Sequence, residues 1–123
     1  MRKRSLVSIV DDDESVRESL PDLLREFGFA AETFSSAAAF LASDLINETR
    51  CLILDITMPA MSGPELQEEL ARRRLDIPIV FITAAGDESV RSRLVARGAV
   101  ACLFKPLSKT ALLDALNAAL QVR

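Results

Sequence analysis

Short apolar runs of strand length alternate along the chain with longer stretches whose apolar positions recur at helical spacing. The predicted strands cover residues 6–10, 30–34, 51–55, 79–82 and 100–104. Each is followed by a predicted helix, and glycine or proline marks most of the boundaries. Five strand-helix units in succession predict a parallel sheet with helices on both faces and right-handed crossovers.

Each predicted helix carries an apolar stripe that would face the sheet. The stripes consist of Val16, Leu20, Leu23, Leu24 and Phe27; Ala39, Phe40 and Leu41; Leu66 and Leu70; Val90, Leu94 and Val95; and Leu112, Leu113, Leu116 and Leu120. The third helix is predicted over 64–74, with Pro64 in its first turn. Ser35 or Ser36, Asp87 and Ser108 stand where they can cap helices, and Pro21 predicts a bend in the first helix.

The composition limits the size and the environment of the protein. A chain of 123 residues, half of them hydrophobic, fits one domain over 1–123. Cys51 and Cys102 are too few for a disulfide scaffold, and both lie in apolar runs where free thiols usually pack. Neither a secretion signal nor a membrane span is recognisable, so we expect a cytoplasmic protein that does not contact membrane.

The charge balance excludes several functions. Fifteen basic and 18 acidic side chains give a net charge of −3, so direct binding of nucleic acid by this chain is not expected. The chain has no histidine, which excludes Ser-His and Cys-His nucleophiles, histidine-ligated zinc and a phosphohistidine of its own. Any chemistry must therefore use Asp, Glu, Lys, Ser and Thr.

Polar residues follow four of the five predicted strands. Asp11 and Asp12 follow the first strand, Asp55 ends the third, Thr83 follows the fourth and Lys105 follows the fifth. Each alone is commonly a turn former, a helix cap or a solvated side chain. In a parallel sheet, however, all of them fall at the edge where ligands bind, and their charges are complementary.

These residue types suit phosphoryl chemistry. Three neighbouring carboxylates repel one another unless a cation joins them, and oxygen ligands favour Mg²⁺ or Mn²⁺. A metal beside Lys105 would stabilise a phosphoryl group in transfer, and Thr83 would hydrogen-bond one of its oxygens. Asp55 is then the predicted nucleophile, because a carboxylate can accept phosphate as an acyl phosphate.

Four motifs give the chain its resemblance to a known family. They are IVDDD at 9–13, LDITMP at 54–59 followed by MSG, ITA at 82–84 and FKP at 104–106. With them the whole chain resembles a response-regulator receiver domain of bacterial two-component signalling, closest to receivers of the FixJ type. The resemblance implies a three-layer doubly wound (βα)5 flavodoxin-like fold with strand order 2-1-3-4-5.

The resemblance also implies roles for the residues at the strand ends. Asp55 would accept phosphate from a histidine of a partner sensor kinase, in agreement with the absence of histidine here. Asp12 would bind the metal directly, Asp11 mainly through water, and the backbone carbonyl of Thr57 would complete the ligands. Lys105 would contact the phosphoryl group, with the peptide bond to Pro106 in the cis form.

By the same resemblance, Thr83 moves toward the phosphoryl group and switches a surface made of the fourth helix, the fifth strand and the fifth helix. That surface would control an effector in transcription, and it would also be the face of a homodimer. Arg91, Arg93 and Arg97 make a basic surface on the fourth helix. Relatives usually carry an aromatic switch residue where Cys102 stands. Phe104, on the same strand face by alternation, is a candidate either for part of that role or for a core residue.

Two other classes of function remain open at this stage. A Mg²⁺-dependent phosphohydrolase with an Asp nucleophile is opposed by the lack of an Asp-x-Asp motif after the first strand and of an inserted cap. A flavin- or nucleotide-binding domain is opposed by the absence of a Gly-x-Gly-x-x-Gly or Walker loop. The receiver hypothesis predicts self-phosphorylation and self-dephosphorylation without turnover of a substrate.

Overall fold

The computed structural model describes residues 4–84 and 88–121, which form a five-stranded parallel sheet of order β2-β1-β3-β4-β5. The strands are β1 Leu6–Val10, β2 Ala30–Phe34, β3 Thr49–Asp55, β4 Ile79–Thr83 and β5 Ala101–Phe104. The helices are α1 Glu14–Glu26, α2 Ala37–Leu41, α3 Gly63–Arg72, α4 Glu88–Ala96 and α5 Lys109–Leu120, with a 3-10 helix at Asp44–Asn47. The doubly wound fold and its strand order are as predicted.

Side chains of each strand alternate between two cores, one on each face of the sheet. In β3, Leu52 and Leu54 pack with the buried residues of α2, α3 and α4. Cys51 and Ile53 of the same strand pack with those of α1 and α5. The three layers hold the carboxyl ends of the strands at one edge.

The predicted helix caps are largely those of the structure. Ser36 rather than Ser35 caps α2, since its Oγ accepts a hydrogen bond from Ala39 N at 3.1 Å. Ser108 caps α5 in the same way. Helix α1 runs through Pro21, which is buried, and the expected cap at Asp87 lies outside the described residues.

β3 begins two residues earlier than predicted because its first residue joins a buried polar pair. Thr49 Oγ1 lies 2.7 Å from Ser8 Oγ and donates a hydrogen bond to the Leu45 carbonyl at 2.8 Å. With its hydroxyl satisfied, Thr49 can be buried beside β1 without an unpaired polar group.

Several apolar or boundary predictions were wrong in detail, and β5, for example, begins at Ala101 rather than at Val100. Ala39 is exposed because α2 is so short that it buries a single face, and Val95 of α4 is 43% exposed. The third helix ends at Arg72 rather than at Arg74, which has a φ of 60°. A left-handed residue of this kind closes a helix, and Leu75 N donates to the Leu70 carbonyl at 2.9 Å there.

Helix α3 starts with a reciprocal capping box beside the loop that follows β3. Ser62 Oγ accepts from Glu65 N at 3.2 Å, and Glu65 Oε1 accepts from Ser62 N at 2.9 Å. We expect Ser62→Ala to lower the free energy of unfolding by about 1 kcal/mol, because a helix amide loses its partner. Urea denaturation measures this loss, and Ser62→Thr, which keeps the hydroxyl, should retain most of the stability.

Candidate functional site

The structure brings the residues at the strand ends together at one edge of the sheet. Asp11 and Asp12 follow β1, Asp55 ends β3, Thr83 ends β4 and Lys105 follows β5. These strands are consecutive neighbours in the sheet, so their ends are contiguous. Edge strand β2 ends in a phenylalanine and supplies no polar group to this set, as predicted from its sequence.

Three carboxylates form the centre of the site. Each of Asp11, Asp12 and Asp55 offers an oxygen, and these oxygens lie within 4.8 Å of one another. Asp11 is completely buried and Asp55 is 6% exposed, whereas Asp12 is open to solvent. Carboxylate oxygens at such separations are the donor set that hard divalent cations prefer.

Asp11 is held in place by its neighbours. Its Oδ1 accepts a hydrogen bond from Asp13 N at 2.9 Å. Its buried Oδ2 forms an ion pair with Lys105 Nζ at 3.0 Å but accepts no well-aligned hydrogen bond from the described residues. A buried carboxylate oxygen with spare acceptor capacity beside two further carboxylates fits a metal ligand set. The residues present therefore fit a Mg²⁺ or Mn²⁺ ion.

The crowding of negative charge changes the protonation of Asp55. Burial raises the pKa of Asp55 to about 7, and the neighbouring Asp11 carboxylate adds to the rise, while Lys105 opposes it. Burial lowers the pKa of Lys105, but the Asp11 carboxylate outweighs it and the net shift is upward. The site therefore keeps a permanent cation beside a carboxyl group that titrates near neutrality.

Asp13 belongs to helix α1 rather than to the carboxylate centre. Its Oδ1 accepts hydrogen bonds from Ser15 N at 2.9 Å and from Ser15 Oγ at 2.8 Å. These bonds lower the pKa of Asp13. This is the capping role that an acidic run after a strand normally has.

Thr83 and Lys105 are joined through the backbone at the ends of β4 and β5. Thr83 is 4% exposed, and its carbonyl accepts a hydrogen bond from Lys105 N at 2.8 Å. The Lys105–Pro106 peptide bond is cis.

Thr57 is exposed in the loop after β3, and its carbonyl as a metal ligand stays a prediction.

Cys102 lies in the core between the sheet and α4. It is 3% exposed, and burial raises the pKa of its thiol, which makes it a packed apolar side chain rather than a reactive one. Phe104 packs partly buried against the same core cluster. The two side chains therefore share one face of β5, as alternation along the strand predicts.

Sequence reasoning missed the contacts that Gly63, Arg91 and Arg97 make. The sequence marks Gly63 only as part of the MSG motif. In the structure it packs directly against the backbone of Asp55. Arg91, interpreted as part of a basic surface, instead donates to the Cys102 carbonyl at 3.1 Å. Arg97 likewise pairs with Glu68, 2.5 Å between Nη2 and Oε2. Neither arginine partnership has a local sequence signal, because the partners lie on different elements.

Comparison with known proteins agrees with this geometry. The family model described as "Response regulator receiver domain" matches residues 7–117, so the chain belongs to this family. The chain is 43% identical over 116 residues to nodulation protein W of Bradyrhizobium diazoefficiens, covering 94% of this chain and 51% of the relative. It is 40% identical over 120 residues to response regulator TodT of Pseudomonas putida, covering 98% of this chain and 53% of that protein.

Solved structures show the same relationship. The response regulator StyR superposes with a TM-score of 0.87 at 49% identity, over 96% of this chain and 60% of that one. FixJ-N superposes with a TM-score of 0.85 at 37% identity, over 100% of this chain and 98% of the other. The chain spans about half the length of the curated relatives it matches.

No helix within residues 4–84 and 88–121 is long and apolar enough to cross a membrane.

Proposed function

We propose that this receiver domain accepts a phosphoryl group on Asp55 from a phosphohistidine of a partner sensor kinase. Asp11, Asp12 and Asp55, with the Thr57 carbonyl, would hold Mg²⁺ or Mn²⁺. The observation that carries the proposal is the convergence of three carboxylates within 4.8 Å of one another beside Lys105. These 123 residues contain no histidine, so they cannot themselves supply the donor histidine.

Each residue of the site has a separate part in the transfer. A carboxylate oxygen of Asp55 forms a bond to phosphorus as the bond from phosphorus to the donor nitrogen breaks, and the donor imidazole leaves with that electron pair. The bound metal would supply positive charge that offsets the repulsion between the anionic acceptor and donor. Lys105 stabilises the charge on the phosphoryl oxygens, and the Thr83 hydroxyl hydrogen-bonds one of them.

Intact mass spectrometry tests the proposal. The domain incubated with acetyl phosphate and Mg²⁺ should gain one phosphoryl group and lose it again on standing, and omission of Mg²⁺ should prevent the gain. Continuous release of many phosphates per protein molecule from a generic phosphate ester would instead indicate a phosphohydrolase. We expect no such turnover of a generic ester, because the phosphoryl group on Asp55 would serve as a transient signal and not as an intermediate in substrate hydrolysis.

The output of the domain is proposed to pass through the surface formed by α4, β5 and α5. Similar proteins are about twice as long as this chain, and those named TdiR and FixJ are transcriptional regulatory proteins. We infer that the phosphorylated domain controls an effector of transcription through this surface, with a homodimer as one means. A soluble cytoplasmic setting fits a partner kinase and a transcriptional output.

Metal binding should depend on pH because Asp55 must lose its proton to act as a ligand. With a pKa of about 7, Asp55 carries a proton below neutrality in the metal-free domain. We expect the apparent Mg²⁺ affinity to rise about tenfold per pH unit between about pH 5 and 7 and to level off above. Isothermal titration at several pH values checks this, and an affinity independent of pH over that window would contradict it.

A further inference from the structure

Arg91 joins helix α4 to strand β5 through two contacts and forms a third within the helix. Its Nε donates to the Cys102 carbonyl at 3.1 Å, and its Nη1 lies 3.1 Å from Glu88 Oε2. Its guanidinium carbon lies 4.3 Å from the centroid of the Phe104 ring. A planar guanidinium that hydrogen-bonds along its edge and stacks on a ring fixes one geometry, which a lysine ammonium would not.

Among the described residues, helix α4 buries little apolar surface against the sheet. Of its residues Glu88–Ala96, Leu94 is buried and Val90 is partly buried, whereas Val95 is 43% exposed. An element with little buried apolar surface is among the first to move when its remaining contacts change. The Arg91 contacts are therefore a substantial part of what positions α4.

Phe104, the ring that Arg91 contacts, lies next to residues of the carboxylate site. Phe104 pairs in register with Thr83 across β4 and β5. The next residue, Lys105, donates its N–H to the Thr83 carbonyl and forms the ion pair with Asp11. Phe104 thus stands between Arg91 on the surface and the two residues that would contact a phosphoryl group.

The small side chain of Cys102 leaves Phe104 as the residue that links Arg91 to the carboxylate site. Cys102 is buried on the same face of β5, and its side chain is too short to reach past α4 to the surface. The aromatic ring that β5 presents to α4 is Phe104, and the guanidinium of Arg91 covers it. A change in β5 can therefore reach the surface of α4 through the side chain of Phe104 and through the Cys102 carbonyl, both of which Arg91 contacts.

We propose that Arg91 is a clasp that fastens α4 to β5 while Lys105 pairs with Asp11, and that it opens when Lys105 and Thr83 turn to a phosphoryl group. This inference rests on the proposed function of Asp55. Because clasp opening and phosphoryl binding are then linked equilibria, weakening the clasp must favour the phosphoryl-bound arrangement. Arg91 is a positioning residue that acts through Phe104, without contact to the reacting atoms.

Titration with beryllium trifluoride and Mg²⁺, a phosphoryl mimic, tests the clasp. We expect Arg91→Ala to bind the mimic about two- to fivefold more tightly than the wild type, the range that corresponds to one partly exposed cation-π contact. Phe104→Leu should change the affinity in the same direction, and the double variant should resemble Arg91→Ala, because Arg91→Ala already removes the contact that Phe104→Leu breaks. Arg91→Lys should resemble Arg91→Ala, and Arg93→Ala, an exposed arginine of the same helix, should match the wild type.

Hydrogen exchange supplies a readout that is separate from affinity. The amides of α4 should exchange faster in the wild type once the mimic is bound, and Arg91→Ala should show that faster exchange without it. Unchanged affinity in Arg91→Ala, with normal binding by the wild type, would overturn the clasp and leave the proposed function standing. Weaker binding by Arg91→Ala would overturn it too, since the contact would then belong to the phosphoryl-bound arrangement. A wild type that binds no mimic would overturn both.

Discussion

Asp55→Asn is expected to abolish phosphoryl labelling and, at the same time, to stabilise the fold. The amide of asparagine has nearly the size of the carboxyl group but offers no anionic oxygen to attack phosphorus. Labelling by acetyl phosphate should therefore fall at least about a hundredfold. Intact mass spectrometry after incubation with the donor and Mg²⁺ measures it.

The gain in stability follows from the pKa of Asp55. Burial and Asp11 raise this pKa to about 7 from an ordinary value of 3.8, so ionising Asp55 costs more free energy in the folded chain than in the unfolded one. Between about pH 4 and 7 the unfolded chain loses this proton first, and the stability of the metal-free protein falls as pH rises. Above about pH 7 the folded protein bears the full free-energy cost of the ionised Asp55, and a neutral asparagine removes that cost.

We expect metal-free Asp55→Asn at pH 8 to gain about 1 to 2 kcal/mol in the free energy of unfolding, less than the full shift because solvent screens part of the repulsion. Its stability should also vary less between pH 4 and 7. Asp114→Asn, at an exposed position of α5, is the matched control and should change neither labelling nor stability. Stoichiometric labelling of Asp55→Asn would show that another residue is the acceptor.

Local pattern predicted the strand-helix units and picked out the polar residues that the structure brings together at one edge of the sheet, whereas the strand order came from the family resemblance. The apolar runs and the glycine and proline boundaries predicted all five strands. The signal is strongest for β3 and β4, which are buried on both faces. The site residues followed from the rule that parallel strands present their carboxyl ends at one edge. Asp55 and Lys105 are 50 positions apart in sequence, yet the sheet brings both beside Asp11.

What the sequence could not predict depends on contacts between distant elements. The early start of β3 needs the pair of Thr49 with Ser8, which lies 41 positions away. The partnership of Arg91 with Cys102 and Phe104 joins a helix to a strand, and a helical wheel shows only an exposed arginine. The pKa of Asp55 likewise needs the burial and the spacing of the carboxylates. Such features arise from packing geometry, which composition and periodicity do not encode.

Gly63 is the point at which the loop after β3 packs back on the acceptor strand. The Gly63 N–H donates to the Ile56 carbonyl at 2.9 Å. A Cβ placed on Gly63 would overlap the carbonyl oxygen of Asp55, lie 3.0 Å from Phe81 Cε1 and lie 3.1 Å from the Ile56 Cα. Two of these neighbours are backbone atoms of the acceptor strand and its loop, so they cannot move aside without moving Asp55.

Gly63→Ala is therefore expected to destabilise the domain by about 3 kcal/mol, at the upper end of what an added methyl group costs in a tight site. Because relief of the overlap displaces the Asp55 backbone, labelling of the folded variant should also slow. Gly28→Ala is the matched control: Gly28 has a φ of +97° but open space around it, so Ala there should cost about 1 kcal/mol through backbone strain alone and leave labelling intact. Denaturation and labelling measured on both variants separate the two causes. Equal stability losses would show that the loop yields to the methyl group and that the close approach of Gly63 does not fix Asp55.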